Sequence, residues 1–214
     1  MIRLPSLYLL FSSGLCCLAQ GWELGGGAGY GVYRNGTVYT GAGTVTAGVR
    51  NRFAVTAWLT EHAYQNLSGE LRYTYQDGDP FLQKSGVRTN LQGQSHTLTY
   101  DVLIQIREPE RRFRPYFAAG LGAKQYVVSG PGNPSQPFTS IAQLISTDEL
   151  KFVAALGGGF SYRWRSHIVL RVDFLDYLTT FPKKIIVPAQ YGTRRGIFQQ
   201  FTPLAGIAYT FGSS

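Results

Sequence analysis

Cysteine runs out at position 17: Cys16 and Cys17 are the two cysteines of a 214-residue chain. Nothing after them can form a disulfide, act as a thiol nucleophile or supply a thiolate metal ligand. Long apolar runs are missing too. Beyond the first 20 or so residues no stretch approaches the roughly 18 apolar residues that mark a membrane-spanning helix, so none is expected. Histidine is scarce, with His62, His96 and His167 far apart and no HExxH spacing, which leaves no metal site or cofactor to expect. Charged residues make up only 15% of the chain, but aromatics make up 14%; disordered chains lack such aromatics, so the chain folds. Glycine is plentiful at 26 without a G-X-Y repeat, which excludes collagen and points to many short strands.

The opening residues differ from the rest. "MIRLPSLYLLFSSGLCCLAQG" has a positive start at Arg3, an apolar run from Leu7 to Leu18, and small residues Cys17 and Ala19 placed for a cut after Ala19. This is the pattern of a secretory signal peptide over 1–19, with a mature chain over 20–214. A membrane anchor is the alternative, but the run falls short of the ~20 residues a spanning helix needs. Export without cysteine suits a fold closed by backbone hydrogen bonds. The formal charge of +8 would fit nucleic acid, but an exported chain does not meet it, so no nucleic-acid partner is expected.

Eight segments then alternate with period 2, the signature of strands. They fall at 21–33, 52–60 (with a possible start near Val45), 67–76, 95–106, 114–128, 151–164, 167–177 and 201–211. In "LSGELRYTYQ", Leu67, Gly69, Leu71, Tyr73 and Tyr75 share one face, and Ser68, Glu70, Arg72, Thr74 and Gln76 the other. A length of about ten residues is what a tilted strand needs to cross a bilayer. The connections alternate between short ("EHAYQN", "REPERRF", "RS") and long (about 34–44, 77–94, 129–150 and 178–199, read as loops). Short turns on one side and long loops on the other mark an outer-membrane barrel. The expected fold is therefore all-β: an eight-stranded antiparallel up-and-down transmembrane β-barrel, with both mature ends on the periplasmic side.

In such a barrel the apolar parity meets lipid and the polar parity faces the lumen. Glu70, Arg72, Asp101, Arg171 and Asp173 then point inward, into a space that side chains alone can fill. Buried charges must pair, so these five are expected to form a salt-bridged luminal network, with glycine columns in the first, fifth and sixth strands leaving room for long side chains. Trp22 and Trp164, near the periplasmic ends of their strands, suit an interfacial aromatic girdle. Trp58 falls on the wrong parity for lipid, which calls for a bulge or a tryptophan packed in the lumen floor.

The chain resembles the small eight-stranded outer-membrane barrels of the OmpA and OmpX type over nearly all of its mature length. "RPYFAAGLGAKQY" looks like the Arg-Pro-Tyr, alternating-glycine strand of that superfamily. The ending "GIAYTF" is similar to the signal read by the barrel assembly machinery, carried here by Gly206, Tyr209 and Phe211; Leu204 stands where that signal often has a polar residue, and "GSS" trails beyond. The resemblance implies a monomer whose partners are outer-membrane lipids, lipopolysaccharide and, during biogenesis, the assembly machinery. It leaves function open, since the superfamily holds structural, adhesive and lipid-modifying members.

Chemistry finds little to work with. Ser95–His96 and Ser166–His167 are sequence neighbours, and neighbours on a strand point to opposite faces, so neither pair makes a nucleophile and its base. The luminal carboxylates could serve as an acid–base site, but interleaving with Arg72 and Arg171 favours structural pairing. "GGGAGYG" lacks the helix and Lys-Ser/Thr of a phosphate loop, and "PGNP" at 131–134 reads as a turn. Lys183, Lys184, Arg194 and Arg195 in the last long loop could meet lipopolysaccharide phosphates, though a solvated loop explains them as well. The expectation is a non-enzymatic surface barrel. Its rivals are a soluble, lipocalin-like barrel holding an apolar ligand, which needs the opposite parity, and a lipid-A-modifying enzyme, which needs a same-face Ser–His pair that is not visible in the sequence.

Overall fold

A computed structural model describes residues 21–130, 136–189, 192 and 196–212. The signal segment, the expected turn at 131–134, and Arg194 and Arg195 lie outside them. The strands in chain order are β1 (Gly21–Tyr33), β2 (Gly36–Thr40), β3 (Gly43–Val49), β4 (Arg52–His62), β5 (Leu67–Asp77), β6 (Pro80–Lys84) and β7 (Val87–Asn90). They continue as β8 (Gln92–Gln105), β9 (Phe113–Ser129), β10 (Ala142–Leu144), β11 (Asp148–Arg163), β12 (Ile168–Thr180), β13 (Ile186–Pro188) and β14 (Ile197–Phe211). Among the described residues no helix is long and apolar enough to cross a membrane, a statement that leaves strands untouched.

Eight of these strands close a barrel in the order β1-β14-β12-β11-β9-β8-β5-β4, every pair antiparallel. Closure leaves none of the eight with a free edge. Each coincides, within a few residues, with one of the eight alternating segments. The alternation holds around the ring: Leu24, Val55, Leu71, Leu98, Leu121, Leu156, Leu170 and Ile207, one per strand, point outward with 40–58% of their surface exposed. On the opposite parity Glu23, Glu70, Asp101, Arg171 and Asp173 are buried. Both described ends, Gly21 and Phe211, meet at the rim that carries the three short turns. The second segment begins at Arg52; the stretch around Val45 is a separate strand, β3.

The long connections differ from the irregular loops expected. The first two fold into a four-stranded sheet, β2-β3-β6-β7, and the last two pair as β10-β13. The reason is local. Ser85 and Gly86, between β6 and β7, both have positive φ (49° and 82°), the geometry of a two-residue hairpin turn whose twist matches its strands. These sheets bury a second apolar core at the loop rim, including Val38, Val45, Leu82, Ile141, Leu144 and Ile186. Tyr33 of β1 stacks on Phe198 of β14 at 5.3 Å beneath it, joining the barrel wall to this cap.

Candidate functional site in the barrel lumen

The strand ladder sets which inward residues share a level. Glu70 lies opposite Thr60 and Asp101, Arg171 opposite Gly206 and Ser161, and Asp173 opposite Gly159 and Leu204. All five residues expected to face the lumen do so, at 3% exposure or less. Arg171 is the hub. Its Nη1 donates to Glu70 Oε2 at 2.6 Å and Glu23 Oε1 at 3.2 Å, and its Nη2 to Asp173 Oδ1 at 3.1 Å and the Tyr116 hydroxyl at 2.8 Å. Tyr116 in turn donates to Asp173. Arg72 reaches Glu70 Oε1 at 3.0 Å and Asp173 Oδ2 at 3.3 Å.

Asp101 is the loosest member. Its nearest cation is Arg72 Nε at 3.5 Å, and neither of its carboxylate oxygens has a hydrogen-bond partner. Counting Glu23, four carboxylates in this layer face two guanidinium groups.

Glu23 was not among the five expected residues, yet it joins the network from β1. The sequence also held no sign of the partners of Trp58, whose indole N–H donates to Glu23 Oε1 at 3.1 Å and whose ring lies under Arg171 at 4.6 Å. Of the two alternatives for Trp58, the lumen floor is the one observed; it is 2% exposed. Glycine makes the room: a Cβ on Gly25 or Gly206 would run into the Trp58 ring, one on Gly120 into Asp101, and one on Gly159 into Tyr116. Towards the loop rim the lumen holds a second polar level. Lys124 Nζ donates to Tyr33 Oη at 3.3 Å and to Gln200, and sits about 5–6 Å from the rings of Tyr33, Tyr126 and Tyr177. No carboxylate among the described residues lies within ion-pair distance of it.

The structure also brings together one pair that the sequence hid. His62 Nδ1 is 2.9 Å from Ser68 Oγ, with Glu23 Oε2 3.9 Å from His62 Nε2. The two lie on adjacent strands, β4 and β5, so no spacing rule along one strand could find them. A same-face Ser–His pair, not visible in the sequence, is thus present. It does not make a nucleophile: Ser68 is 1% exposed, its hydroxyl also receives Gln105 Nε2 at 2.9 Å, and Glu23 is too far from the ring to hydrogen-bond it.

The remaining expected residues lie apart. Trp164 is 57% exposed at the turn rim, Trp22 is half-buried there opposite Phe211, and Tyr209 and Phe211 point outward beside them. Gly206 faces inward under Trp58. Lys183 and Lys184 are exposed, and the Lys184 N–H donates to Glu149.

No protein-family model matches the chain, and no curated protein matches it significantly. Solved structures do. The outer membrane protein OprG from Pseudomonas aeruginosa is similar with a TM-score of 0.59 at 14% identity, over 91% of this chain and 97% of that one. Neisserial surface protein A (NspA) is similar with a TM-score of 0.54 at 10% identity, over 89% of this chain and 97% of that one. The chain thus has the fold of the small eight-stranded outer-membrane barrels.

Proposed function

We propose that this protein is an exported, non-enzymatic, monomeric barrel of the outer membrane, closed to solutes and displaying its loop-rim cap to the exterior. The observation that carries this reading is the parity of the wall: an unbroken apolar band outside and ions inside. Water would not favour that band, and a soluble barrel holding an apolar ligand needs the reverse. Support for closure comes from the ion pairs across the lumen and from the strand count, since eight strands enclose only enough space for side chains.

In this reading the turn rim faces the periplasm, where Trp22 and Trp164 sit at the headgroup level. Gly206, Tyr209 and Phe211 serve the assembly machinery, and Lys183 and Lys184 sit near lipopolysaccharide phosphates. The signal peptide is removed after Ala19. Cell fractionation tests the core of this. The protein should remain in outer membranes through a carbonate wash, leave them in detergent, and begin at Gln20 by mass spectrometry. An epitope inserted at Gly86, where a side chain would meet no neighbour, should be labelled on intact cells. Release by carbonate, or labelling of an epitope at 64–66 instead, would overturn the location or the orientation.

A further inference from the structure

The turn rim opens into a small, solvent-open cavity of about 50 Å³ that the network does not fill. Its floor is Arg171 and Glu23, and its walls carry Arg111, Arg112, Arg114 and Arg163. Arg114 and Arg163 are the inward-parity residues at the rim ends of β9 and β11, both half-buried and both lining the cavity. Arg111 and Arg112 come from the turn between β8 and β9 and are exposed. Among the described residues, none of these four has a carboxylate within 4.0 Å. The Arg114 guanidinium donates only to the Arg107 and Gln65 carbonyls (3.2 and 2.8 Å), and Arg163 to the Pro109 carbonyl (3.0 Å).

Among the described residues Glu23 is the one carboxylate lining the cavity, and it is already held by Arg171 and Trp58. Four guanidinium groups therefore converge on one opening without a close ion pair, although Glu23 and, from the turn, Glu110 offset part of the Arg114 charge at longer range. Guanidinium forks match planar and tetrahedral oxyanions by paired N–H donors.

We propose that this vestibule is a binding site for a molecule bearing clustered phosphate or carboxylate groups, reached from the aqueous phase along the barrel axis. A bilayer headgroup is the other source of the same chemistry, but it lies outside the wall, whereas Arg114 and Arg163 point inside it. The compartment that supplies the ligand rests on the orientation proposed above; the binding itself does not, and is measured on purified protein.

The full mature chain, refolded in zwitterionic detergent, is titrated with pyrophosphate and with citrate by calorimetry at low salt. Saturable binding is expected for at least one, weakened about tenfold or more in Arg114→Gln/Arg163→Gln and unchanged in the loop-rim control Lys84→Gln/Arg88→Gln. If the first variant fails to show heat-modifiable migration, Arg111→Gln/Arg112→Gln takes its place, because among the described residues those exposed turn side chains make no hydrogen bond or ion pair; a loss of several-fold is then expected. No saturable heat with either probe, or equal binding in the vestibule variants and the wild type, overturns the site. In nanodiscs, pyrophosphate should bind equally whether the lipid is phosphatidylcholine alone or includes phosphatidylglycerol; competition by the anionic lipid would assign the site to headgroups and overturn the aqueous ligand.

Discussion

Replacing Arg171 by Leu separates a packed lumen from a paired one. Among the described residues Arg171 is the one cation paired with Glu23 Oε1; it shares Glu70 and Asp173 with Arg72 and lies over the Trp58 ring. Its loss leaves four carboxylates in one layer with a single guanidinium. Removing one partner from a buried ion pair costs about 3–5 kcal/mol, because the other charge stays buried and unpaired. Here three carboxylates lose a donor at once, so the effect belongs at the upper end of that range. Arg72→Leu removes the contacts to Glu70, Asp173 and the distant Asp101 while Arg171 still holds the first two, so it should cost less. Leu71→Arg is the contrasting lesion. Leu71 points outward at 48% exposure, and an arginine facing lipid costs about 2–4 kcal/mol at the midplane and less near the interface. Urea unfolding in liposomes, read by tryptophan fluorescence and heat-modifiable migration, measures all three. Both luminal variants should insert and then unfold at lower urea, Arg171→Leu before Arg72→Leu. Leu71→Arg should lower the inserted fraction itself. An Arg171→Leu barrel within about 1 kcal/mol of the wild type would refute the ion-pair account. Normal insertion of Leu71→Arg beside failed insertion of Arg72→Leu would invert the parity assignment.

Two further outcomes follow from the same layer. Asp101→Asn should leave stability unchanged or raise it by up to about 1 kcal/mol in the same assay, since it removes a carboxylate without hydrogen bonds from a layer with an excess of them; a loss above about 2 kcal/mol would show that Arg72 depends on it. Gly25→Ala should cost about 1–3 kcal/mol by pushing the Trp58 ring, and that cost should largely vanish in a Trp58→Leu background; additive effects would mean that the ring is not the obstacle.

The barrel itself was legible because lipid and lumen impose opposite demands on successive residues, and eight separate segments met them. So was the membership of Glu70, Arg72, Asp101, Arg171 and Asp173 in the lumen: parity alone fixes it. What parity cannot fix is height along the axis. Glu23 joins Arg171 across the β1–β14–β12 ladder, a relation set by register between strands distant in sequence. The His62–Ser68 pair was hidden for the same reason, since it spans a turn and two strands. The cap was missed on different grounds. Its strands are three to seven residues long, too short for alternation to stand out from a loop rich in glycine and serine. The Ser85–Gly86 hairpin was the clue available, a two-residue break between "FLQK" and "VRTN".

The seam between β1 and β14 has a kinetic consequence. It joins Trp22 to Phe211, so the ring closes only between segments from opposite ends of the sequence. Every other wall contact joins strands that follow one another, and these hairpins can form early and reversibly; the seam carries the largest loop-closure entropy in the molecule. Until it forms, β1 and β14 each present a bare row of peptide donors and acceptors, which hydrocarbon, the surroundings proposed above, does not tolerate. Insertion and closure are thereby coupled, and the rate of assembly should respond most strongly to changes along this one seam. The aligned run Gly25, Gly26 and Gly27 against Ala208, Ile207 and Gly206 is where a slower zipper would first show itself.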